Sequence, residues 1–482
     1  MKTNACRSRF KGPREGERLG RSVVGSRLAM GAALLALFGV PLHATPLSGS
    51  ESLAEGVPMV VSDVLAEKAS EGLLDDPTSM LRRILADPQW ASGLSQVREA
   101  RNSAAELLVE IGGIISPSGR EHERAARMAD ELRSMGIHEV EVTGAPNVVA
   151  RIPGRSGQAV VFISTLDDLQ TVAMNQEAAG RPPTIRGDRV EGPGTNTSTV
   201  TVAMLTAARA LVDAGFEPEH DLYLVGVAEE ETGLRGMFEI VDQLGDRALA
   251  YVDILGDGSS ISYGALSIHW WRIEGEGPPG HSLGGGLPNV NQGLARAVDR
   301  ILDWSVPYQD PANRTTVNVS ILRSGEVFNH KPAEGWFSLD LRSLEAGTVT
   351  EMEEGVQAIL AEVEAETGIP LRMEPESLVP GGQIPGALES ALVRSSRAVA
   401  EHLGLDPNLN PAGSSNMNVA VARGIPAIGL GGNRGGERGR PEEWADIPAM
   451  MRTAEHVYLL ALLLAGGELG LEGATGQEFD EL

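Results

Sequence analysis

The chain has 482 residues, of which 42% are hydrophobic and 22% charged, and this composition excludes a chain that is disordered as a whole. Its length is sufficient for two domains with apolar cores. The 66 acidic and 40 basic residues give a formal net charge of −26, a field that repels phosphate backbones and anionic headgroups and so excludes nucleic acid and anionic membranes as expected partners.

Residues 1–44 have the pattern of a secretory signal peptide. Eight Lys or Arg residues precede an uncharged run over residues 28–40, and the expected cleavage point follows Ala44. An uncleaved membrane anchor is the alternative, although the run is shorter than the ~20 residues of a spanning helix. Cleavage leaves 32 basic and 64 acidic residues and removes Cys6, the only cysteine. We therefore expect an exported protein, periplasmic or extracellular, whose mature form has no disulfide and no membrane contact.

An N-terminal extension over residues 45–103 is expected ahead of a region in which helices and strands alternate. The predicted elements are a helix over residues 121–135, strands over 139–142, 148–151 and 159–164, a helix over 199–214, and strands over 222–228 and 251–255. Strands separated by helices indicate an α/β fold with a doubly wound mixed sheet. Ligands of such sheets bind at the carboxyl ends of the strands.

A different pattern over residues 266–376 predicts an inserted α+β domain. It contains alternating strands over 267–274, 317–322 and 336–342 and helices over 290–304 and 349–367. The first pattern then resumes with a helix over 388–403, a strand over 425–430 and an apolar helix over 454–465, which we expect to lie in a core. The main domain is thus predicted to comprise residues 104–265 and 377–470, followed by an acidic tail over 471–482.

Short motifs along both predicted domains are similar to those of one known family. They lie at residues 116–119, 147–154, 164–169, 192–197, 228–233, 280–282, 329–332, 340–342, 413–418, 431–436 and 442–444. In this order, and with the insertion between them, they resemble the M20 metallopeptidases over about residues 110–465. The resemblance implies a zinc-peptidase-like catalytic domain with a lid that also dimerises. It further implies a homodimer that hydrolyses a small peptide-like or acyl-amino-acid substrate.

The resemblance assigns the acid–base and metal-binding roles to carboxylates. Members of the family hold two zinc ions with histidines, carboxylates and a bridging aspartate, and a glutamate acts as the general base. That base falls on Glu230. Metal-ligand positions fall on Glu231 and on Asp257, with Asp253 as a competing alignment for the second.

Three of the five metal-ligand positions have lost their ligands. Thr165 and Gly439 stand where histidines are expected, and Thr197 stands where the bridging aspartate is expected. No histidine occurs within residues 160–170 or 430–445 to replace them. Asp167 keeps the carboxylate that would orient the first histidine. Because one carboxylate per zinc is too few ligands, the sequence does not predict a zinc pair.

The remaining acidic side chains leave the cofactor question open. Asp167, Asp168, Glu231 and Asp257 could together bind one hard divalent cation such as Mg²⁺, Mn²⁺ or Ca²⁺, or they could share a proton. Arg438 and Arg440 bring positive charge towards the same region and so oppose a dication. No cofactor is therefore assigned from the sequence.

The resemblance also supplies candidate substrate contacts. His281 matches a histidine that reaches the partner subunit's site and stabilises an oxyanion. Asn329 and Arg342 match lid positions that contact substrate, and Asn416 stands in a substrate-side turn where an aspartate is usual. An arginine suits a bidentate grip on a carboxylate, but an ion pair between Asp340 and Arg342 on one strand face is the alternative.

Three functions are compatible with this sequence. The first is an exported hydrolase with an altered site, in which Glu230, Asp167 and His281 are the catalytic side chains. The second is a metal-independent lyase or isomerase that uses Glu230 as its base. The third is a non-catalytic relative that binds a peptide or an amino-acid derivative.

Overall fold

The computed structural model describes residues 76–467, and the predicted signal peptide and acidic tail lie outside this range. The helices of this part are α1 (Pro77–Ala86), α2 (Pro88–Glu99), α3 (Arg101–Gly113), α4 (His122–Ser134), α5 (Gln170–Ala179), α6 (Thr195–Asp213), α7 (Arg235–Leu244), α8 (Val290–Trp304), α9 (Ala346–Thr367), α10 (Ala391–His402), α11 (Met417–Ala422) and α12 (Ile447–Ala465).

The strands number nineteen within the same residues. They are β1 (Glu139–Val142), β2 (Val148–Ile152), β3 (Ala159–Thr165), β4 (Thr184–Arg186), β5 (Arg189–Glu191), β6 (Asp221–Val227), β7 (Ala248–Ile254), β8 (Ser260–Ser262), β9 (Ser267–Glu276), β10 (Gly280–His281), β11 (Thr316–Asn318), β12 (Leu322–Ser324), β13 (His330–Lys331), β14 (Glu334–Ser343), β15 (Leu371–Val379), β16 (Asn408–Asn410), β17 (Ala427–Gly431), β18 (Gly435–Gly436) and β19 (Trp444–Asp446).

The main sheet has eight strands in the order β1-β2-β6-β3-β7-β17-β8-β16. Strands β6, β3, β7 and β17 are parallel neighbours, whereas β1, β2 and β8 join the sheet by antiparallel pairing. The mixed α/β sheet expected from the sequence is thereby confirmed. Because the four parallel strands point the same way, their carboxyl ends meet at one edge of the sheet.

The central strand β3 is buried along its whole length because helices cover both faces of the sheet. Val160 and Phe162 belong to the core that contains α6 and α12. Val161 and Ile163 belong to a second core on the opposite face, which contains α7 and α11. Successive side chains of β3 thus pack in opposite apolar cores, which explains why the sequence shows a continuous hydrophobic run.

The helix α12 forms the centre of the larger core. By length and composition it is the one helix within residues 76–467 that could cross a membrane, but 89% of its most apolar window is buried in the protein. This burial matches the core position expected from the sequence.

Part of the N-terminal extension is integral to the main domain. Helices α1 and α2 each begin at an Asp-Pro pair, in which the side chains of Asp76 and Asp87 cap the helix at the backbone N–H of Ser79 and Gln89, at 3.0 and 2.9 Å. Their apolar faces pack in the same core as α12. The main domain therefore includes residues 76–103 in addition to the predicted segment that begins at residue 104.

The inserted domain contains an antiparallel sheet in the order β11-β14-β9-β15, with β12 also paired to β14. One face carries Phe337, Leu339 and Leu341, which pack against α8 and α9 in a separate core. The strand predicted over residues 317–322 is interrupted, because the side chain of Ser338 accepts the backbone N–H groups of Ser320 and Ile321. The expected small α+β insertion is otherwise present.

Candidate functional site

The carboxyl ends of the parallel strands bring together four segments of the chain. Strand β3 ends at Thr165, β6 at Val227, β7 at Ile254 and β17 at Gly431. The polar residues at or just beyond these ends include most of the candidate catalytic and metal-binding positions. The topology thus explains how residues that are distant in sequence form one site.

Asp167 is the buried anchor of this site, with no exposed side-chain surface. Its carboxylate accepts hydrogen bonds from the hydroxyl of Ser118 at 2.6 Å and from the backbone N–H groups of Glu230 and Glu231 at 2.9 and 3.0 Å. Burial raises the pKa of Asp167 to about 6, although these hydrogen bonds oppose the change. Asp167 therefore holds the turn that follows β6.

That turn is strained at its first glutamate. Glu229 has a φ of +54°, in the left-handed region that residues with a Cβ rarely adopt, and its backbone N–H donates to Glu121 at 3.0 Å. The two buried carboxylates that bind the turn, those of Asp167 and Glu121, are what hold this conformation. As a result the next two residues project from a fixed backbone.

Glu230 is partly buried among other carboxyl groups. Burial raises its pKa well above the usual value, and the nearby negative charges of Glu231, Asp167 and Asp253 raise it further. Glu230 therefore retains its proton to higher pH than an ordinary glutamate. A carboxyl group with a raised pKa can act as a proton donor as well as a proton acceptor.

Glu231 is already bound by a positive charge. Its carboxylate forms a close ion pair with the guanidinium of Arg438. Arg438 lies in the segment between β18 and β19, and Glu443 fixes that segment by accepting the backbone N–H groups of Gly439, Gly194 and Asn196 at 3.0, 2.9 and 3.1 Å. A guanidinium thus contacts a carboxylate that the family resemblance assigns to metal binding.

The structure separates the two alternative aspartates. Asp253, on β7, is fully buried, lies close enough to Glu230 to affect its charge, and accepts the backbone N–H of Met417 at 3.1 Å. Burial raises the pKa of Asp253 to about 6. Asp257 instead accepts hydrogen bonds from Ser259 at 2.7 Å and from Arg452 at 3.0 Å. Asp253 is therefore the one that joins the cluster around Glu230, while Asp257 is engaged elsewhere.

The positions of the three lost ligands contain no replacement donors. The hydroxyl of Thr165 accepts a hydrogen bond from the side-chain amide of Asn416 at 3.1 Å, and both residues are buried. Thr197 is buried, and its hydroxyl has no hydrogen-bond partner within the described range. Gly439 has a φ of +81°, so a histidine there would be strained as well as close to Thr171.

Asp168 contributes to the architecture of the site. Its carboxylate forms an ion pair with Arg124 at 2.7 Å, and both side chains are completely buried. Arg124 also donates to the backbone carbonyls of Leu166 and Ile114, at 2.9 and 2.6 Å. This pair fixes the backbone on both sides of Asp167 and leaves Asp168 unsuited to a cation.

These residues do not fit the zinc pair of the family. Across residues 76–467, no group of three or more His, Cys, Asp or Glu side chains is arranged to hold a metal ion. The donor set gives the chemical reason: Glu231, Asp168 and Asp257 are paired with arginines, and the lost positions offer only hydroxyls and a hydrogen atom.

The candidate residues of the inserted domain form two separate groups. His281 is hydrogen-bonded to the side chain of Asn329 at 3.0 Å, and the ring of His330 lies edge-on to it at 5.5 Å between centroids. Arg342 forms hydrogen bonds to both carboxylate oxygens of Asp340, at 2.9 to 3.2 Å. The alternative strand-face ion pair is therefore present, and within the described residues neither group is hydrogen-bonded to the cluster around Glu230.

The sequence did not single out three residues that organise this site. They are Arg434, which interacts electrostatically with Glu230 and Glu231, together with Arg124 and Glu443. An available signal was the occurrence of two arginines four residues apart directly after β17, in a glycine-rich segment that follows a strand at the functional edge. The roles of Arg124 and Glu443 depend on contacts across long sequence separations, so no local pattern indicates them.

This geometry defines a class of protein: a two-domain α/β protein with a cluster of acidic and basic side chains at the carboxyl edge of its sheet. Residues 168–463 match the family model described as Peptidase family M20/M25/M40. Because this match covers more than half of the chain, the chain belongs to that family, which confirms the resemblance inferred from its motifs.

Individual relatives are distant in sequence. A succinyl-diaminopimelate desuccinylase of Corynebacterium glutamicum is 24% identical over 326 residues, which are 66% of this chain and 85% of that protein. The aminopeptidase PepT of Bacillus cereus is 19% identical with a TM-score of 0.62, and covers 75% of this chain and 97% of its own. A tripeptidase of Staphylococcus aureus is 18% identical with a TM-score of 0.64, covering 75% and 98%. A protein of Bacillus subtilis, described as a dinuclear metal-binding peptidase of family M20, is 14% identical with a TM-score of 0.56, covering 76% and 99%.

Proposed function

We propose that this M20-family protein binds a small peptide-like or acyl-amino-acid substrate at the carboxyl edge of its main sheet and hydrolyses an amide bond without the family's zinc pair. The relatives support this substrate class, since their names describe an aminopeptidase, a tripeptidase and a desuccinylase. The altered donor set at Thr165, Thr197 and Gly439 supports the absence of a zinc pair from the reaction.

The position of Glu230 carries the proposal. Its backbone is held by Asp167, and its carboxyl group lies among Glu231, Asp167 and Asp253, which together with burial raise its pKa. In the proposed reaction Glu230 takes a proton from water while the water oxygen bonds to the carbonyl carbon. It then delivers that proton to the amine as the carbon–nitrogen bond breaks.

The test combines metal analysis with a hydrolysis screen. Purified protein is assayed for zinc, magnesium, manganese and calcium, and is then screened on acyl-amino acids and dipeptides with and without a chelator. We expect hydrolysis that resists the chelator and is lost in Glu230→Gln. Chelator-sensitive hydrolysis together with near-stoichiometric zinc would contradict the proposal. Product masses distinguish hydrolysis from the lyase or isomerase alternative, since only hydrolysis adds the elements of water.

Glu229→Gln is the matched control for this experiment. Glu229 precedes Glu230 in the same turn, and its partly exposed carboxylate pairs with Arg235 at 3.3 Å rather than with the cluster. Both variants remove one carboxylate and keep the shape of the side chain. Loss of hydrolysis in Glu230→Gln alone therefore assigns the effect to the proton-transferring group.

A non-catalytic binding function is the second candidate, and the ion pair between Glu231 and Arg438 favours it. This contact neutralises a carboxylate at a metal-ligand position. A chain that binds acyl-amino acids or dipeptides but releases no product, whether or not metal is added, would support binding over catalysis.

We also propose export and assembly as a homodimer. The basic and apolar pattern of residues 1–44 supports export, which cell fractionation tests. Assembly through the inserted domain is supported by Leu283 and Phe328, which are almost completely exposed. Leu283 follows His281 by two residues, and Phe328 precedes His330, the partner of His281 between β10 and β13, by two residues. If His281 acts in the partner's site, a mixture of His281→Ala and Glu230→Gln chains should recover part of the activity that each lacks alone.

A further inference from the structure

The guanidinium of Arg434 has an unusual status among the charged groups of the site. It is half-buried, yet within residues 76–467 it forms no ion pair and no hydrogen bond. Burial and the nearby charge of Arg438 both lower its pKa. An arginine remains charged despite such effects because its ordinary pKa is so high. Arg434 therefore brings to the carboxyl edge of the sheet a positive charge that, within the described residues, has no hydrogen-bonded or ion-paired partner.

The acidic neighbours of Arg434 are engaged by other groups. Glu231 is paired with Arg438, and Glu443 accepts three backbone N–H groups. Asp253 accepts the backbone N–H of Met417 at 3.1 Å. Because a partly buried charge is costly without a partner, the arrangement favours a ligand that supplies one negative charge.

The backbone of Arg434 is held in place. Its carbonyl accepts the N–H of Asp446 at 3.1 Å, and the next residue, Gly435, pairs with Ala445 in the short ladder between β18 and β19. A guanidinium on such a fixed segment loses little freedom when it binds, which favours recognition of a planar group.

We propose that Arg434 binds a carboxylate group of the ligand, in the region where the family's metal chemistry would otherwise take place. This inference deepens the proposed function and rests on it for the peptide-like class of ligand. A guanidinium fork matches the two oxygens of a carboxylate. The single negative charge of a carboxylate also matches the single positive charge of Arg434, whereas a phosphate dianion carries a second charge.

The other candidate arginines are less available. Arg342, which the family resemblance assigns to the substrate, is bound through three hydrogen bonds to Asp340. Arg440, six residues after Arg434, is exposed and pairs with Glu437 at 3.0 Å. The ligand carboxylate is therefore assigned to Arg434, and Arg440 provides a control on the same segment.

The experiment compares ligands that differ only in charge. Isothermal titration calorimetry measures the binding of N-acetyl-L-alanine, L-alanyl-L-alanine and their C-terminal amides to the full chain, and to the Glu230→Gln chain in which hydrolysis does not interfere. We expect the free acids to bind more tightly than the amides. In Arg434→Gln the free acids should bind roughly tenfold to hundredfold more weakly, with the amides unchanged. Arg434→Lys should retain part of the preference, and Arg440→Gln all of it.

Several results would overturn the assignment. They are equal affinity of the wild-type chain for acids and amides, an unchanged preference in Arg434→Gln, tighter binding of inorganic phosphate than of the acids, and no binding of any acid. Circular dichroism melting of Arg434→Gln and Arg434→Lys separates loss of binding from loss of folding. Binding that depends on Arg434 without turnover would refute the hydrolase and leave this inference standing. Turnover of the free acids that is unaffected by Arg434→Gln would do the reverse.

Discussion

The buried ion pair between Arg124 and Asp168 offers a sharp test of how the site is held together. Replacing Arg124 by methionine keeps much of the side-chain volume but leaves the carboxylate of Asp168 without its cation. It also removes the donors to the carbonyls of Leu166 and Ile114. Because both members of the pair have no exposed surface, water cannot take over these contacts.

The expected loss follows from the cost of an uncompensated buried charge. Removing one member of a buried pair typically costs about 3–5 kcal/mol, whereas an exposed pair contributes about 0–1 kcal/mol. Arg127 lies one turn further along α4, is partly exposed, and pairs with Glu110 at 2.8 Å and Glu131 at 3.0 Å. Arg127→Met should therefore cost no more than about 1 kcal/mol.

Urea denaturation followed by fluorescence measures these free energies of unfolding. The double variant Arg124→Met/Asp168→Leu removes both charges and should recover most of the loss, since an apolar pair of similar volume replaces the ions. If Arg124→Met costs no more than Arg127→Met, or if the double variant is as unstable as Arg124→Met, the reasoning about an uncompensated charge is refuted.

Three further predictions concern other buried groups. Burial raises the pKa of Asp253 from near 4 to about 6, so the folded state binds this proton more tightly than the unfolded chain does. The resulting contribution to the free energy of unfolding is complete below about pH 4 and is lost as the pH rises through 6. The free energy of unfolding of Asp253→Asn relative to wild type should therefore rise by about 2–3 kcal/mol between pH 4 and 7. Burial lowers the pKa of His456 from 6.5 to about 4, so the wild-type protein should lose stability as the pH falls from 6.5 to 4. His456→Gln should lack this loss. Equal pH profiles of the two proteins in urea denaturation would contradict this prediction. Glu443→Gln should cost about 1–3 kcal/mol because an amide cannot accept all three backbone N–H groups, whereas Glu442→Gln, at an exposed neighbour, should be neutral in the same assay.

Much of the fold follows from patterns that are local in the sequence. Strand β1 has its predicted bounds, residues 139–142, and α8 begins and ends at the predicted residues 290 and 304. Apolar runs and helical spacing are sufficient for these elements because burial against a sheet imposes the same periodicity on the sequence. Helix α6, however, begins four residues before its predicted start. Its first turn is a Thr- and Asn-rich segment, and Glu443, far along the chain, binds the N–H groups there.

The site was predictable to the extent that it depends on motif order. The sequence placed Asp167, Glu230 and Glu231 together at the end of β6 and β3, and in the structure Asp167 binds the other two through their backbone. It assigned the second metal-ligand position to Asp257, with Asp253 as the competing alignment. Asp253 lies on β7 and Asp257 lies three residues beyond its end, and their surroundings differ through contacts distant in sequence, from Met417 to Asp253 and from Arg452 to Asp257.

The chemistry of the site is best understood as a problem of charge. A cluster of carboxylates that lacks a dication repels itself, and this protein reduces that repulsion in three ways. Arg438 pairs with Glu231, backbone N–H groups bind Asp167, and Asp253 has a raised pKa that favours its neutral form. Restoring a histidine at position 165 would therefore not restore a metal site by itself, because a zinc ion would still have to displace Arg438 from Glu231 and overcome the positive charge that remains nearby.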